Sequence, residues 1–286
     1  MIKTIASAGT EKRRYFAKAF IDGLPVSDET PAVLLAEMER AIAAGEQGHY
    51  ISVTNTESMY HGLRKPDHGM FIRNSDFSLC DGVGIRVAGW SWGLHLRCYN
   101  GPVFQLDCSK HGEARGWRHF FCGGKEGVAE EMAKRLKKKF PELIVCGTYT
   151  PPFRELTPEE DAAVVAQINQ SKPDIVWVGL GLLKQERWIA QHLDRVEASW
   201  MVGVGAAFDY HSGAVPWAPA PVRALGLAWL FSFIIQPRRR ARRHWRAAVY
   251  VVQTFLKGVI NLQFVGKPKL SRWPAAEERG NDTGEK

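Results

Sequence analysis

The stretch PDIVWVGLGLLKQER, Pro173 to Arg187, decides the fold. Ile175, Val176, Trp177 and Val178 form a short apolar block of the kind a parallel strand needs when helices cover both its faces. Gly179 and Gly181 then let the backbone turn and come close to a ligand, while Lys184, Gln185 and Glu186 open the next helix. A helix N-terminus carries free N–H groups and a partial positive charge, so this turn suits a phosphate or diphosphate. Spacing alone equally allows an ordinary strand-to-helix turn, because G-x-G is a weak signal.

Outward from this stretch the same alternation repeats. Thr30-Pro31 reads as an N-cap and first-turn proline ahead of a helix with Val33, Leu34, Met38, Ala41 and Ile42 on one face, closing at Gly45. Tyr50 to Val53 is a predicted strand that runs into Thr54, Asn55, Thr56 and Glu57; a helix is expected over Met59 to Arg64, ended by Pro66. Phe77 to Leu79 leads into Cys80-Asp81-Gly82-Val83-Gly84, an acidic residue at a glycine turn. Residues 90–116 show no clear periodicity and stay unassigned. Arg118 to Cys122 is a strand, followed by Gly123-Gly124 and a helix with Val128, Met132 and Leu136 on one face. Leu143 to Cys146 is the next strand, and Thr157 to Glu160 is a capping box ahead of Val164, Val165 and Ile168. Trp200 to Val204 then leads to Gly205 and Phe208-Asp209.

Strands alternating with helices at these lengths imply an α/β fold, a mostly parallel sheet of Rossmann-like βα units. Such folds bind ligands beyond the carboxyl ends of the strands. Asn55, Asp81, Gly123, Gly181, Gln185 and Asp209 all follow predicted strands and are expected on one rim.

The 286 residues, 45% of them hydrophobic, suffice for a large core. The charge is uneven. Between Tyr210 and Ala276 there is no Asp or Glu but eleven Lys and Arg, so a chain of net charge +8 has a body of −3 and a strongly basic C-terminal extension. The expected organisation is an α/β catalytic domain over 1–215, a basic amphipathic appendage over 216–273 and a disordered polar tail over 274–286. The five cysteines include no C-x-x-C, which fits reduced thiols in a cytosolic protein and argues against a zinc site. The N-terminus lacks the continuous apolar run of a secretory signal.

Ala224 to Ile235 is apolar with Trp229, Phe231 and Phe233, yet shorter than the roughly 20 residues that span a bilayer. Six arginines follow between Arg238 and Arg246, with Trp245 among them, and Ala247 to Leu262 is apolar again. Aromatic and apolar patches beside arginines suit a helix lying in the interface of an anionic membrane; the same residues also fit core aromatics beside a solvated basic face. Arg238, Arg239, Arg242 and Arg243 are candidates to hold a diphosphate by bidentate contacts. An apolar extension of this kind also invites self-association into a homo-oligomer.

Several motifs in order carry a resemblance: N-T-E at Asn55 to Glu57, C-D-G-V-G at Cys80 to Gly84, F-F-C-G-G at Phe120 to Gly124, P-D-I-V-W-V-G-L-G-L-L-K-Q-E at Pro173 to Glu186, and G-V-G-A-A-F-D at Gly203 to Asp209. With Ala218-Pro219 and G-L-A-W-L at Gly226 to Leu230, the chain from about Tyr50 to Trp245 resembles the WecG/TagA/CpsF glycosyltransferases. The resemblance implies an inverting, metal-independent transferase without a cofactor. It would move a sugar from a UDP donor to a sugar linked through diphosphate to a polyprenyl lipid, peripherally on the inner face of a bacterial cell membrane.

Asp81 matches the family's catalytic aspartate. By its residues alone it either caps a turn or serves as the general base that an inverting transfer requires. Gln185 and Asp209 match positions associated with the nucleotide or sugar, and Asn55 a polar position near the reacting sugar. Thr54, Gly123, Gly181 and Glu186 complete the expected substrate-binding set. No D-x-D pair occurs in the chain, so leaving-group charge falls to helix N-termini and basic side chains. Val53, Leu183 and Ala228 replace the family's usual threonine, proline and glutamate, and Thr150 to Phe153 its G-Y-F-like turn, which leaves the donor sugar open.

Two other classes compete. A dinucleotide oxidoreductase requires G-x-G-x-x-G, which G-L-G-L-L-K breaks at Lys184. A basic membrane- or nucleic-acid-binding protein on a non-catalytic α/β fold is the alternative; confinement of the charge to one end, on a net acidic body, argues against nucleic acid.

Overall fold

The computed structural model of the protein describes residues 15–264 and 271–274. In chain order the elements are β1 (Tyr15–Ile21), β2 (Leu24–Ser27), α1 (Pro31–Ala43), β3 (His49–Thr54), α2 (Thr56–Gly62), α3 (Pro66–Asn74), β4 (Phe77–Cys80), α4 (Val83–Ser91), α5 (Gly101–Glu113), β5 (Arg118–Gly123), α6 (Val128–Lys139), β6 (Ile144–Tyr149), α7 (Pro158–Gln170), β7 (Ile175–Gly179), α8 (Lys184–His192), β8 (Trp200–Gly203), α9 (Ala207–Ser212), α10 (Ala220–Ala224), α11 (Ala228–Ile235), α12 (Pro237–Phe264) and β9 (Ser271–Pro274). Among the described residues the strands form one sheet in the order β6-β5-β7-β8-β3-β4-β2-β1-β9. Strands β2 to β8 pair in parallel, and only β1 runs antiparallel to its neighbours β2 and β9. The chain thus adopts the α/β class its sequence pattern implies.

The apolar run Ile175 to Val178 becomes β7, between β5 and β8, and is fully buried. Its residues alternate between two layers. Ile175 and Trp177 pack with Leu34, Phe104, Met132 and Phe208 of α1, α5, α6 and α9, while Val176 and Val178 pack with Phe71, Ile168 and Ile189 of α3, α7 and α8. Burial on both faces is why the strand reads as continuous rather than alternating. A third cluster joins β1, β2, α2 and α4 to Tyr250 of α12.

Side-chain caps set the helix boundaries. The Thr30 hydroxyl accepts from the Val33 N–H, and Thr157 and Glu160 form the expected reciprocal box. Asn55 starts the second helix earlier than expected, because its Oδ1 accepts from the Glu57 and Ser58 N–H groups at 3.0 Å each. Pro66 stands after the end of α2 and also opens α3, where its missing N–H leaves no bond unmade. The unassigned residues 90–116 contain α5. Its buried face mixes Phe104 and Cys108 with Gln105 and Ser109, which conceals the helical period.

The basic extension is helical, and its inner face belongs to the body. α12 lies across α2 and α4: the Trp92 Nε1–H donates to the Thr254 carbonyl at 3.2 Å, Arg64 donates to Gln253 at 2.8 Å, and Lys257 pairs with Asp22 at 2.7 Å. A Cβ on Gly258 would lie 2.4 Å from Ser91 Oγ, so the helices meet backbone to side chain there. No helix among the described residues is long and apolar enough to cross a membrane. The polar tail expected over Pro274 to Lys286 lies, beyond Pro274, outside the described residues.

Candidate active site

The carboxyl ends of β3, β4, β5, β7 and β8 form one rim. From β5 the chain goes to β6 at the sheet edge, and from β7 to β8 in the opposite direction. Between β5 and β7 the loops therefore diverge and leave a crevice. Its floor is glycine: the Gly124 N–H donates to the Gly179 carbonyl at 3.0 Å, and a Cβ on Gly123 would stand 2.6 Å from the Gly179 carbonyl carbon. A Cβ on Gly179 would in turn lie 2.5 Å from the Phe208 ring.

The loop after β7 turns at Gly181 (φ +84°) and again at Leu183 (φ +70°), and no side chain caps α8. Proline holds φ near −65°, so a proline could not take the place of Leu183 in this backbone. The first turn of α8 carries Gln185 and Glu186, each 5% exposed. Gln185 Nε2–H donates to Glu186 Oε1 at 3.0 Å, the backbone at Leu183 and Glu186 also bonds the Glu186 carboxylate, and Gln185 Oε1 is buried without a partner among the described residues. Gly203 and Gly205 make the room for Gln185, since a Cβ on either would lie 2.9 Å and 3.3 Å from its amide. Burial, with the Glu57 charge adding to it, pushes the Glu186 carboxyl up to about 7.

Asp81 follows β4 directly. Its N–H donates to the Thr54 carbonyl at 2.9 Å, and Gly82 (φ +107°) turns the chain into α4. Burial pushes the half-buried carboxyl up to about 6, and Arg243 of α12 pulls it the other way. Arg243 is held in turn. Its Nε and an Arg246 guanidinium nitrogen pair with the two oxygens of Glu57, at 3.2 and 3.3 Å, and the same Arg246 nitrogen lies 3.4 Å from His61 Nε2. Burial and the Arg246 charge keep His61 below the usual imidazole range. α12 thus sets two arginines against the acidic rim.

The other expected residues divide. Thr54 is turned into the sheet, fully buried, its hydroxyl bonded to Ser52 Oγ at 2.9 Å and Ser78 Oγ at 2.8 Å. Asn55 is at the rim with its carbonyl engaged as the α2 cap. Asp209 lies half-buried in the first turn of α9, just past β8. Arg238 and Arg242 are exposed and outside the Glu57 cluster, and the side chain of Arg239 lies outside the described residues. Glu57, His61 and Arg246 are the members that sequence reasoning passed over. Arg246 follows Arg243 by three, a helical spacing that places both on one face.

The profile of the Glycosyl transferase WecG/TagA/CpsF family matches residues 19–263. The chain belongs to this family. It is a glycosyltransferase, and the rim is the candidate active site of a WecG/TagA/CpsF enzyme. One similar relative is the N-acetylglucosaminyldiphosphoundecaprenol N-acetyl-beta-D-mannosaminyltransferase of Staphylococcus aureus (strain NCTC 8325 / PS 47), 26% identical over 81% of this chain and 90% of its own. The protein of the same name from Bacillus spizizenii (strain ATCC 23059 / NRRL B-14472 / W23) is 26% identical over 78% of this chain and 85% of its own.

Proposed function

We propose that the protein transfers a hexosamine-type sugar from a UDP donor to a sugar carried on polyprenyl diphosphate, with Asp81 as general base. The observation that carries the reading is a perturbed carboxyl at the strand ends: Asp81, at about 6, follows β4 directly and senses Arg243 of α12. A base with a pKa near operating pH takes the acceptor hydroxyl proton while remaining mostly ionised, typically giving about 10² to 10⁴ in rate. A single displacement inverts the sugar carbon, and the relatives' names describe a β-linked mannosaminyl product.

The departing UDP carries new negative charge. In this reading it meets the uncapped N-terminus of α8 and the arginines of α12, without a metal, which suits a chain lacking D-x-D. Asp209 is suited to accept from ribose hydroxyls. The acceptor's diphosphate would replace Glu57 as the partner of Arg243 and Arg246.

The lipid end of such an acceptor needs a surface. Leu225, Trp229 and Ile234 around α11, and Trp245, Val252, Leu256 and Ile260 of α12, are exposed apolar side chains, and Arg238 and Arg242 are exposed near the start of α12. This supports peripheral docking on an anionic, cytoplasm-facing bilayer. Release of UDP should be measured across a panel of UDP-sugars, with the polyprenyl-diphosphate sugar in liposomes, for wild type and Asp81→Asn. Acceptor-dependent release from one donor, lost in the variant, is the expected outcome; release untouched by the variant would remove Asp81 from the role of base.

A further inference from the structure

Two of the five cysteines meet beside Asp81. Cys80, the last residue of β4, is buried; Cys98, on the loop between α4 and α5, is exposed; their sulfurs are 3.3 Å apart. The loop is laid against the strand end. The Tyr99 N–H donates to the Cys80 carbonyl at 2.9 Å, the Tyr99 hydroxyl to Asp107 at 2.8 Å, and the Cys98 thiol contacts the Gly82 carbonyl at 3.4 Å. A disulfide needs sulfurs about 2.05 Å apart, so a small closure of one loop would complete the bond.

We propose that Cys80 and Cys98 are an oxidation site, forming a reversible disulfide that shifts the Asp81–Gly82 turn and suppresses transfer. The oxidant is a low-molecular-weight disulfide. The Cys98 thiolate attacks one of its sulfurs, forming a mixed disulfide and releasing one thiolate. Cys80 then gives its proton to solvent and attacks the Cys98 sulfur, releasing the second. Two protein thiols lose two electrons, and the reagent is reduced to two thiols.

Cys98 is the entry point on two grounds: it is exposed, and the Cys80 thiol and the Arg86 charge favour its thiolate. Cys80 is held protonated first by its hydrogen bond to Cys98 and then by burial, and the first of these ends once Cys98 is in the mixed disulfide. The bond would take from Cys98 its contact with Gly82 and draw on the residue that precedes Asp81. Displacing a reacting group by about 1 Å can cost about 10²-fold in rate. The loss of activity rests on the transferase reading with Asp81 as base; formation of the disulfide does not.

The full-length protein should be incubated with oxidised glutathione, then analysed by intact mass, by peptide mapping and by UDP release. The expected result is a species two hydrogen atoms lighter, a Cys80–Cys98 cross-linked peptide, and a fall in rate of at least about tenfold that dithiothreitol reverses. Cys98→Ala and Cys98→Ser should form no such cross-link and keep their rates under the same oxidant. A stable glutathione adduct on Cys98, or no change in mass, would overturn the site. A disulfide that forms without altering the rate would overturn its effect on the turn.

Discussion

Asp81 is asked to be both buried and ionised, and the two demands have measurable signs. Its carboxyl titrates at about 6 in the folded protein against about 3.9 in an unfolded chain. The folded state therefore holds the proton more tightly, and this contribution to stability, present below pH 4, is lost as pH rises through 6. At neutral pH the ionised group costs up to about 3 kcal/mol. Asp81→Asn is thus expected to raise the melting temperature at pH 7.5, with no gain at pH 4, while lowering kcat by about 10² to 10⁴; thermal scans at the two pH values check the first half. A base must be unprotonated, so the rate should climb with pH to a plateau with its midpoint near 6. Arg243 holds that midpoint down. Arg243→Gln should move it upward, and an unchanged profile would mean that this arginine does not sense the base.

At the scale of elements, β8 and α8 share one steric constraint. Gly203→Ala would place a methyl 2.9 Å from Gln185 Nε2, at the end of a side chain that can move. The fold should lose about 1 to 3 kcal/mol, while KM for the donor rises several-fold as Gln185 is pushed from its place. The contact was not readable from G-V-G-A-A-F-D, because a strand pattern tells which residues are buried and not which neighbour they meet. The sheet itself was readable, since Ile175 to Val178 and the capped helices leave their signal within a few adjacent residues. Glu57 was hidden for a different reason. Its partners Arg243 and Arg246 lie far along the chain, and that pairing exists only once α12 crosses α2. Thr54 reads as a rim hydroxyl in sequence, yet strand alternation turns it toward Ser78.

For the whole molecule, α12 separates two tasks by face. Tyr250, Thr254 and Gly258 point inward, whereas Trp245, Val252 and Leu256 are 70%, 58% and 59% exposed. Trp245→Glu, Val252→Glu and Leu256→Glu together should reduce sedimentation with anionic liposomes at least tenfold at an unchanged melting temperature, each buried apolar side chain being worth about 1.5 kcal/mol or more. Deleting Pro237 to Lys286, by contrast, should lower the melting temperature by more than about 5 °C, because the deletion strips Tyr250 from a core. With Arg243 and Arg246 committed to Glu57 and Arg240 bonded to Tyr210, the exposed Arg238 and Arg242 contribute at most about 2 kcal/mol to lipid attraction. The glycine floor has a consequence for genetics. Gly123, Gly124 and Gly179 have no space for a methyl group, whatever its chemistry. A screen for loss of function would thus score them as strictly as Asp81, and the apparent catalytic footprint would exceed the set of groups that touch substrate until each hit is also assayed for folding.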